Sequence, residues 1–267
     1  MSQATTSWSR IRFQDVSPFL PPIIGLAIGA IAWEIAGRLE VSYVLPPFTD
    51  IVSNTWDVWR SEAFRSAALE SLESLAIAWP LSIGLGLVVG LLMGRYRLVE
   101  WMLDLYVNIF LSLPLIALIP IILLLFGLSQ TSMIVIVFLY TFFVVVVNTS
   151  AGVRSVESNF EEMARSFGAN EARILWRVII PGALPLALTG VRIATGRAFK
   201  GVIIGEQLVR FIGLGGLIQR YGGAFRVEDL WALIFAVGLS GLIAMQLVQL
   251  VENFAEKRLP RGRRTSQ

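Results

Sequence analysis

Four charged side chains, Arg192, Arg197, Lys200 and Glu206, fall inside or at the end of one apolar run near residues 184–208. A charge held at mid-bilayer costs about 2.5–3.5 kcal/mol on insertion scales, so such residues mark solute pathways or structural pairs. At about 100° per helical residue, Arg192, Arg197 and Lys200 share one broad face, and Glu206 lies off it toward the far end. The chemistry on offer is a cationic lining for a small anion. Against it stand plainer roles. Arg192 can snorkel to an interface, Arg197 can form a structural pair, and Glu206 can contact an extracytoplasmic partner. Arg197, Lys200, Glu206 and the polar Asn148 of the preceding apolar run are the pathway candidates.

Other chemistry is excluded. The chain has no cysteine and no histidine, which removes disulfides, thiolate nucleophiles and His-based metal sites. Its carboxylates are scattered rather than paired, so neither a catalytic nor a metal site is expected. No G-x-x-x-x-G-K-[ST] sequence is present, so ATP and Mg²⁺ should not bind here.

The elements that carry these residues are set by composition. The 267 residues are 55% hydrophobic and 15% charged, against about 25% charged in a soluble domain. A membrane-spanning helix needs about 20 apolar residues. Six runs qualify: Pro22 to Leu39, Ser71 to Met93, one within Val99 to Phe126, Ser132 to Thr149, Leu184 to Leu208, and Leu230 to Val251. The third is expected to start with an interfacial stretch before Pro114. Such runs satisfy their backbone in lipid as helices. The fold class is therefore all-α, a multi-pass membrane protein of six transmembrane helices.

The pI of about 9.6 reflects membrane topology, with no nucleic-acid surface in view. Basic residues gather between alternate runs: Arg10 and Arg12, Arg95 and Arg97, four arginines from Arg154 to Arg177, and the tail after Lys257. By the positive-inside rule these segments and both termini are cytoplasmic. The expected organisation is a cytoplasmic segment 1–21, a transmembrane domain 22–252 and a basic tail 253–267 that can touch anionic lipid. No secretory signal peptide is visible. Gly86, Gly90 and Gly94 recur every fourth residue, as expected for a tight helix crossing. Gly213, Gly215 and Gly216 read as turns in an outside loop.

The longest polar inside loop, Ser155 to Pro185, has its own structure, with short helices over about 158–180. Ser158 and Glu161 fit a capping box. Phe160, Met163, Ala164 and Phe167 follow with the spacing of one helical face. Gly168 stops that helix, Asn170 caps a second one, and Pro181 ends it. Periodicity alone favours an amphipathic helix on lipid headgroups. The acidic balance favours a docking surface for a cytosolic protein.

Glu162-Met163-Ala164, Gly168 and Val178-Ile179-Ile180-Pro181 resemble the EAA loop of permease subunits in binding-protein-dependent ABC importers. Val44-Leu45-Pro46-Pro47-Phe48, Leu113-Pro114 to Ile119-Pro120, Phe126-Gly127-Leu128 and Gly213-Leu214-Gly215 are similar to the subgroup that imports sulfonates, taurine, nitrate and bicarbonate. The resemblance implies a type I importer permease fold in a bacterial cytoplasmic (inner) membrane. It implies a homodimer of this chain, a cytosolic ABC ATPase dimer carrying ATP and Mg²⁺, and an extracytoplasmic solute-binding protein. It makes Glu161, Glu162, Met163, Ala164, Phe167, Gly168 and Pro181 the residues that couple to the ATPase. A self-sufficient secondary transporter is the competing reading; it should show inverted repeats, and none is evident.

Overall fold

The computed structural model describes residues 20–210 and 212–257. Residues 1–19 and 258–267, most of the expected N-terminal segment and basic tail, lie outside that range, as do Arg10 and Arg12. The described elements are helices without strands: α1 (Leu20–Arg38), α2 (Phe48–Arg60), α3 (Glu62–Arg95), α4 (Arg97–Ser112), α5 (Ile119–Phe126), α6 (Gln130–Arg154), α7 (Ser158–Ser166), α8 (Glu171–Ile174), α9 (Ile180–Gly205), α10 (Gly213–Gly223) and α11 (Val227–Lys257). Among the described residues, four stretches are long and apolar enough to cross a membrane: Glu62–Arg95, Gln130–Arg154, Glu171–Val209 and Val227–Leu250. The pair formed by α4 and Leu115–Phe126 makes a fifth candidate, bent by 98°. The bend falls at Leu113-Pro114, where proline's missing N–H and ring end α4. It lies where the sequence places the end of an interfacial stretch.

The scaffold for the site is α3, α6 and α9. Along α3, Ser71, Ser74, Ala78, Ser82, Gly86 and Gly90 form one buried stripe. Small residues let backbones approach without relying on hydrophobic attraction, which lipid does not supply between helices. A Cβ added at Gly90 would lie 2.7 Å from both Thr149 Cβ and Val146 O, and one at Gly94 would lie 2.6 Å from Val153 Cβ. The four-residue glycine repeat is thus the α3–α6 contact. On its other face α6 meets α9 by the same device. A Cβ at Gly152 would lie 2.6 Å from Ala183 O, and one at Gly190 would lie 2.5 Å from Asn148 Cβ. Trp79 Nε1 donates to Thr195 Oγ1 at 3.0 Å and ties α3 to α9 directly.

At one end, the segment between α1 and α2 is pinned by tryptophans. Trp33 Nε1 donates to Pro46 O and Trp231 Nε1 to Val44 O, while the two indoles meet edge to face at 4.9 Å. Glu34 accepts from Thr49 N and Thr49 Oγ1 and pairs with Arg38. Glu34 therefore organises the turn into α2 as well as sitting at the end of an apolar run. The rest of α1 is exposed along most of its length.

Two expectations are corrected here. Pro181 does not end a short helix. Residues Glu171–Val209 form one continuous helix, and Pro181 sits in the first turn of α9, just after a π turn at Leu175–Ile179. The wider π turn accommodates a ring that would otherwise collide with the carbonyl four residues back. Gly213, Gly215 and Gly216 are not loop turns. They form the buried start of α10; a Cβ at Gly213 would run into the Glu206 carboxylate, and one at Gly215 would lie 2.3 Å from Ile203 O.

Candidate functional site

The loop between α6 and α9 is held by α3. Arg95, the last residue of α3, donates from Nη1 to Glu161 Oε2 at 2.9 Å and from Nη2 to Glu171 Oε2 at 2.7 Å. Arg165 closes the set by pairing with the other oxygen of Glu171. One guanidinium fork thus fixes α7 and α8 together, using the planar geometry that makes arginine suited to two carboxylates at once. A second clamp, Arg154 to Glu100, joins the end of α6 to α4.

Between α7 and α8 the chain turns at Gly168, with φ at +78°. Asn170 Oδ1 accepts from Arg173 N at 2.9 Å and caps the next helix, as expected. The capping box does not form. Glu157 is the N-cap residue of α7, without a side-chain cap bond, and Glu161 turns to Arg95 instead. A charge-assisted pair outcompetes a bond to a single exposed N–H.

The four apolar residues of α7 and its C-cap divide. Phe160, Met163 and Phe167 are exposed, Phe167 by 83%. Ala164 faces inward against the cluster of Val153, Ile174, Ile179 and Ala183. Glu162 is exposed on the outer side. A groove of about 450 Å³ opens beside them, lined by Phe160, Met163, Ala164, Arg177, Val178 and Gly182. The result is a short helix, rigidly clamped, that presents aromatic and thioether groups outward.

The intramembrane charges separate as well. Arg197 and Lys200 are exposed and line one groove with Phe110, Tyr140 and Phe143. Asn148 sits deeper along α6, its Nδ2 donating to Val144 O at 2.8 Å and its Cβ packed on Gly190. It is not among the residues lining that groove.

Glu206 goes elsewhere. It is fully buried, and its Oε2 accepts from Ser71 Oγ and from Gly215 N, both at 2.9 Å. Ser71 Oγ accepts in turn from Leu214 N at 3.0 Å, and Glu70 Oε2 from Gly213 N at 2.7 Å. Three unsatisfied N–H groups at the start of α10 are thereby met by side chains of α3 and by Glu206. Glu206 therefore does not face the groove of Arg197 and Lys200 in this chain; its carboxylate is a helix cap.

Residues 82–259 match the family described as the inner membrane component of binding-protein-dependent transport systems. The chain belongs to this family of ABC importer permeases. Among curated proteins, the permease is 33% identical to the formylaminopyrimidine transport permease protein ThiX of Halalkalibacterium halodurans, covering 88% of this chain and 94% of that one. It is 30% identical to the taurine transport system permease protein TauC of Escherichia coli, covering 84% and 85%. It is 27% identical to the nitrate import permease protein NrtB of Synechococcus elongatus, covering 90% and 91%. The subgroup expected from the LPPF and GLG segments is thus the one found.

The permease also shares its fold with a chain of a bacterial ABC transporter involved in the import of the acidic polysaccharide alginate. The TM-score is 0.60 at 15% identity, covering 91% of this chain and 94% of that one. This supports the type I importer fold expected from the sequence.

Sequence reasoning missed Arg95, Glu70 and Ser71. Arg95 looks like an ordinary positive-inside residue, and only the fold brings it to Glu161. Ser71 looks like one more small residue of a span. A signal existed for Glu70 and Ser71, since the glycines at 213, 215 and 216 imply a backbone pressed against something close.

Proposed function

We propose that this permease is the transmembrane channel subunit of an ATP-driven importer and moves a small organic or inorganic anion inward by alternating access. Two copies form the channel, with six spans each and both termini in the cytoplasm of a bacterial cell, in its inner membrane. Segment 1–21 and tail 253–267 lie on the cytoplasmic side. A cytosolic ATPase dimer docks on α7 and holds the ATP and Mg²⁺; an extracytoplasmic binding protein delivers solute. The chain itself performs no catalysis.

The observation that carries this reading is the clamped helix α7. An exposed Phe160 and Met163 on a nine-residue helix, with Phe167 at its C-cap, would be an aggregation hazard unless a partner covered them. The Arg95 fork makes α7, α8 and the end of α3 move as one piece. A displacement of α7 therefore reaches α9 through a helix that is continuous from Glu171 to Val209. A rigid lever of this kind is what a two-state switch of the spans requires. Glu162 supplies a polar contact at the docked face, and Gly168 leaves room for close approach. Arg197 and Lys200 line the passage, with Asn148 further along it.

The reading is tested by reconstituting the permease with its ATPase in nanodiscs and measuring ATP hydrolysis with and without the binding protein. Stimulation by the loaded binding protein is expected. A permease that moves solute with no ATPase present would overturn it.

A further inference from the structure

Lys200 and Arg197 stand three residues apart on α9, about 5–6 Å between their Cβ atoms. Neither has a hydrogen-bond, ion-pair or ring partner among the described residues. Cations at span depth are costly; such residues pair within the bundle or face a water-filled cavity, and they mark solute and ion pathways.

The described residues do not supply a counter-charge. No Asp or Glu occurs in residues 74–95, 105–156, 172–205 or 230–251, which together make up most of the apolar spans. Glu206 is buried and engaged with α10, and Glu34 is engaged with Arg38 and Thr49. An anionic ligand is the counter-charge that suits two such cations side by side on one groove.

The groove also has a second half. It holds about 270 Å³, opened where α4 ends and the chain bends at Leu113-Pro114. Phe110 and Phe143 are stacked on its wall at 4.7 Å and 7°, with leucines around them. Tyr140 lines it too; its ring packs where Gly201 lacks a Cβ, and its hydroxyl has no partner among the described residues. A bare inorganic anion would leave this apolar wall without a partner. An oxyanion attached to an apolar body fills both halves: the head takes Arg197, Lys200 and the Tyr140 hydroxyl, and the body lies against Phe110 and Phe143.

We propose that this groove is a binding site for an organic anion with an apolar body, so that the permease itself selects solute. This rests on the anion-import reading above, and narrows it. An anionic lipid carries the same chemistry, and the test separates the two sources.

The test uses the full chain in nanodiscs of phosphatidylcholine and measures binding of benzenesulfonate, methanesulfonate and nitrate by titration calorimetry. Benzenesulfonate is expected to bind saturably and at least about tenfold more tightly than methanesulfonate, which keeps the head and loses the body. R197Q/K200Q, changed only at exposed positions, should lose at least about tenfold in benzenesulfonate affinity while keeping the wild-type thermal midpoint. Equal binding of benzenesulfonate and nitrate would overturn the apolar-body assignment. Unchanged affinity in R197Q/K200Q, or no binding to the wild type, would overturn the site. Loss of benzenesulfonate binding when phosphatidylglycerol replaces phosphatidylcholine would assign the groove to lipid and overturn the solute site. None of these results bears on whether the binding protein stimulates ATP hydrolysis, so the site can fail while the importer reading stands.

Discussion

Glu206 Oε2 lies 2.9 Å from the N–H nitrogen of Gly215, nine residues further along the chain, and receives its hydrogen bond inside the protein; Glu206 opens a π turn, Glu206–Arg210, that leads toward the start of α10. A Cβ at Gly215 would lie 2.3 Å from Ile203 O and 2.7 Å from Glu206 Cβ, so the contact exists because residue 215 has no side chain. Gly215→Ala is expected to lower the thermal midpoint sharply, measured by fluorescence-detected size exclusion after heating. Glu206→Ala should also destabilise, by about 1.5–3 kcal/mol for a charged group's hydrogen bonds. A Glu206→Ala protein as stable as wild type would remove the capping role.

Arg95 offers a charge-reversal test. Its two bonds to Glu161 and Glu171 are partly exposed, so each contributes only about 1 kcal/mol or less to overall stability. The larger effect should be on the position of α7. Arg95→Glu is expected to leave membrane insertion intact and to reduce binding-protein-stimulated ATP hydrolysis severalfold. Glu161→Arg/Glu171→Arg in the same chain should restore part of it. No restoration would mean that Arg95 acts through some other contact.

Gly168 separates folding from docking. A Cβ there meets nothing within 4 Å, yet φ is +78°. An L-residue in that region costs about 1–2 kcal/mol, so Gly168→Ala should insert normally and lose a few degrees of thermal midpoint. Gly168→Asp adds a charge at the face proposed to meet the ATPase. It should be similarly stable and abolish transport. Full uptake in the Asp variant would count against docking at this turn.

Along α3, position on or off the buried stripe decides tolerance. Gly84 has open space around it, while Gly90 is pressed on Thr149 and Val146. Gly84→Ala should be neutral, and Gly90→Leu should prevent a monodisperse product, since close-packed crossings have no room for added volume. Equal yields for the two variants would refute the crossing.

The loop between α6 and α9 was legible because its devices are local. Gly168 at positive φ and Asn170 as a cap both act within a few residues of themselves, and both are found where the spacing puts them. The capping box at Ser158 was misread for the complementary reason. Glu161 had a stronger partner 66 residues away in Arg95, and no window of sequence contains both. Glu206 is the same lesson at larger scale, since its partner Ser71 is 135 residues distant.

By itself the sequence determined the class of molecule. Apolar runs of span length must become helices because lipid offers the backbone no other hydrogen-bond partner, and the EAA spacing assigns them to a permease. Which charges are spent inside the protein and which are left facing a groove was decided by tertiary structure alone. A charge in a span is defined by its partners, and those partners come from other helices.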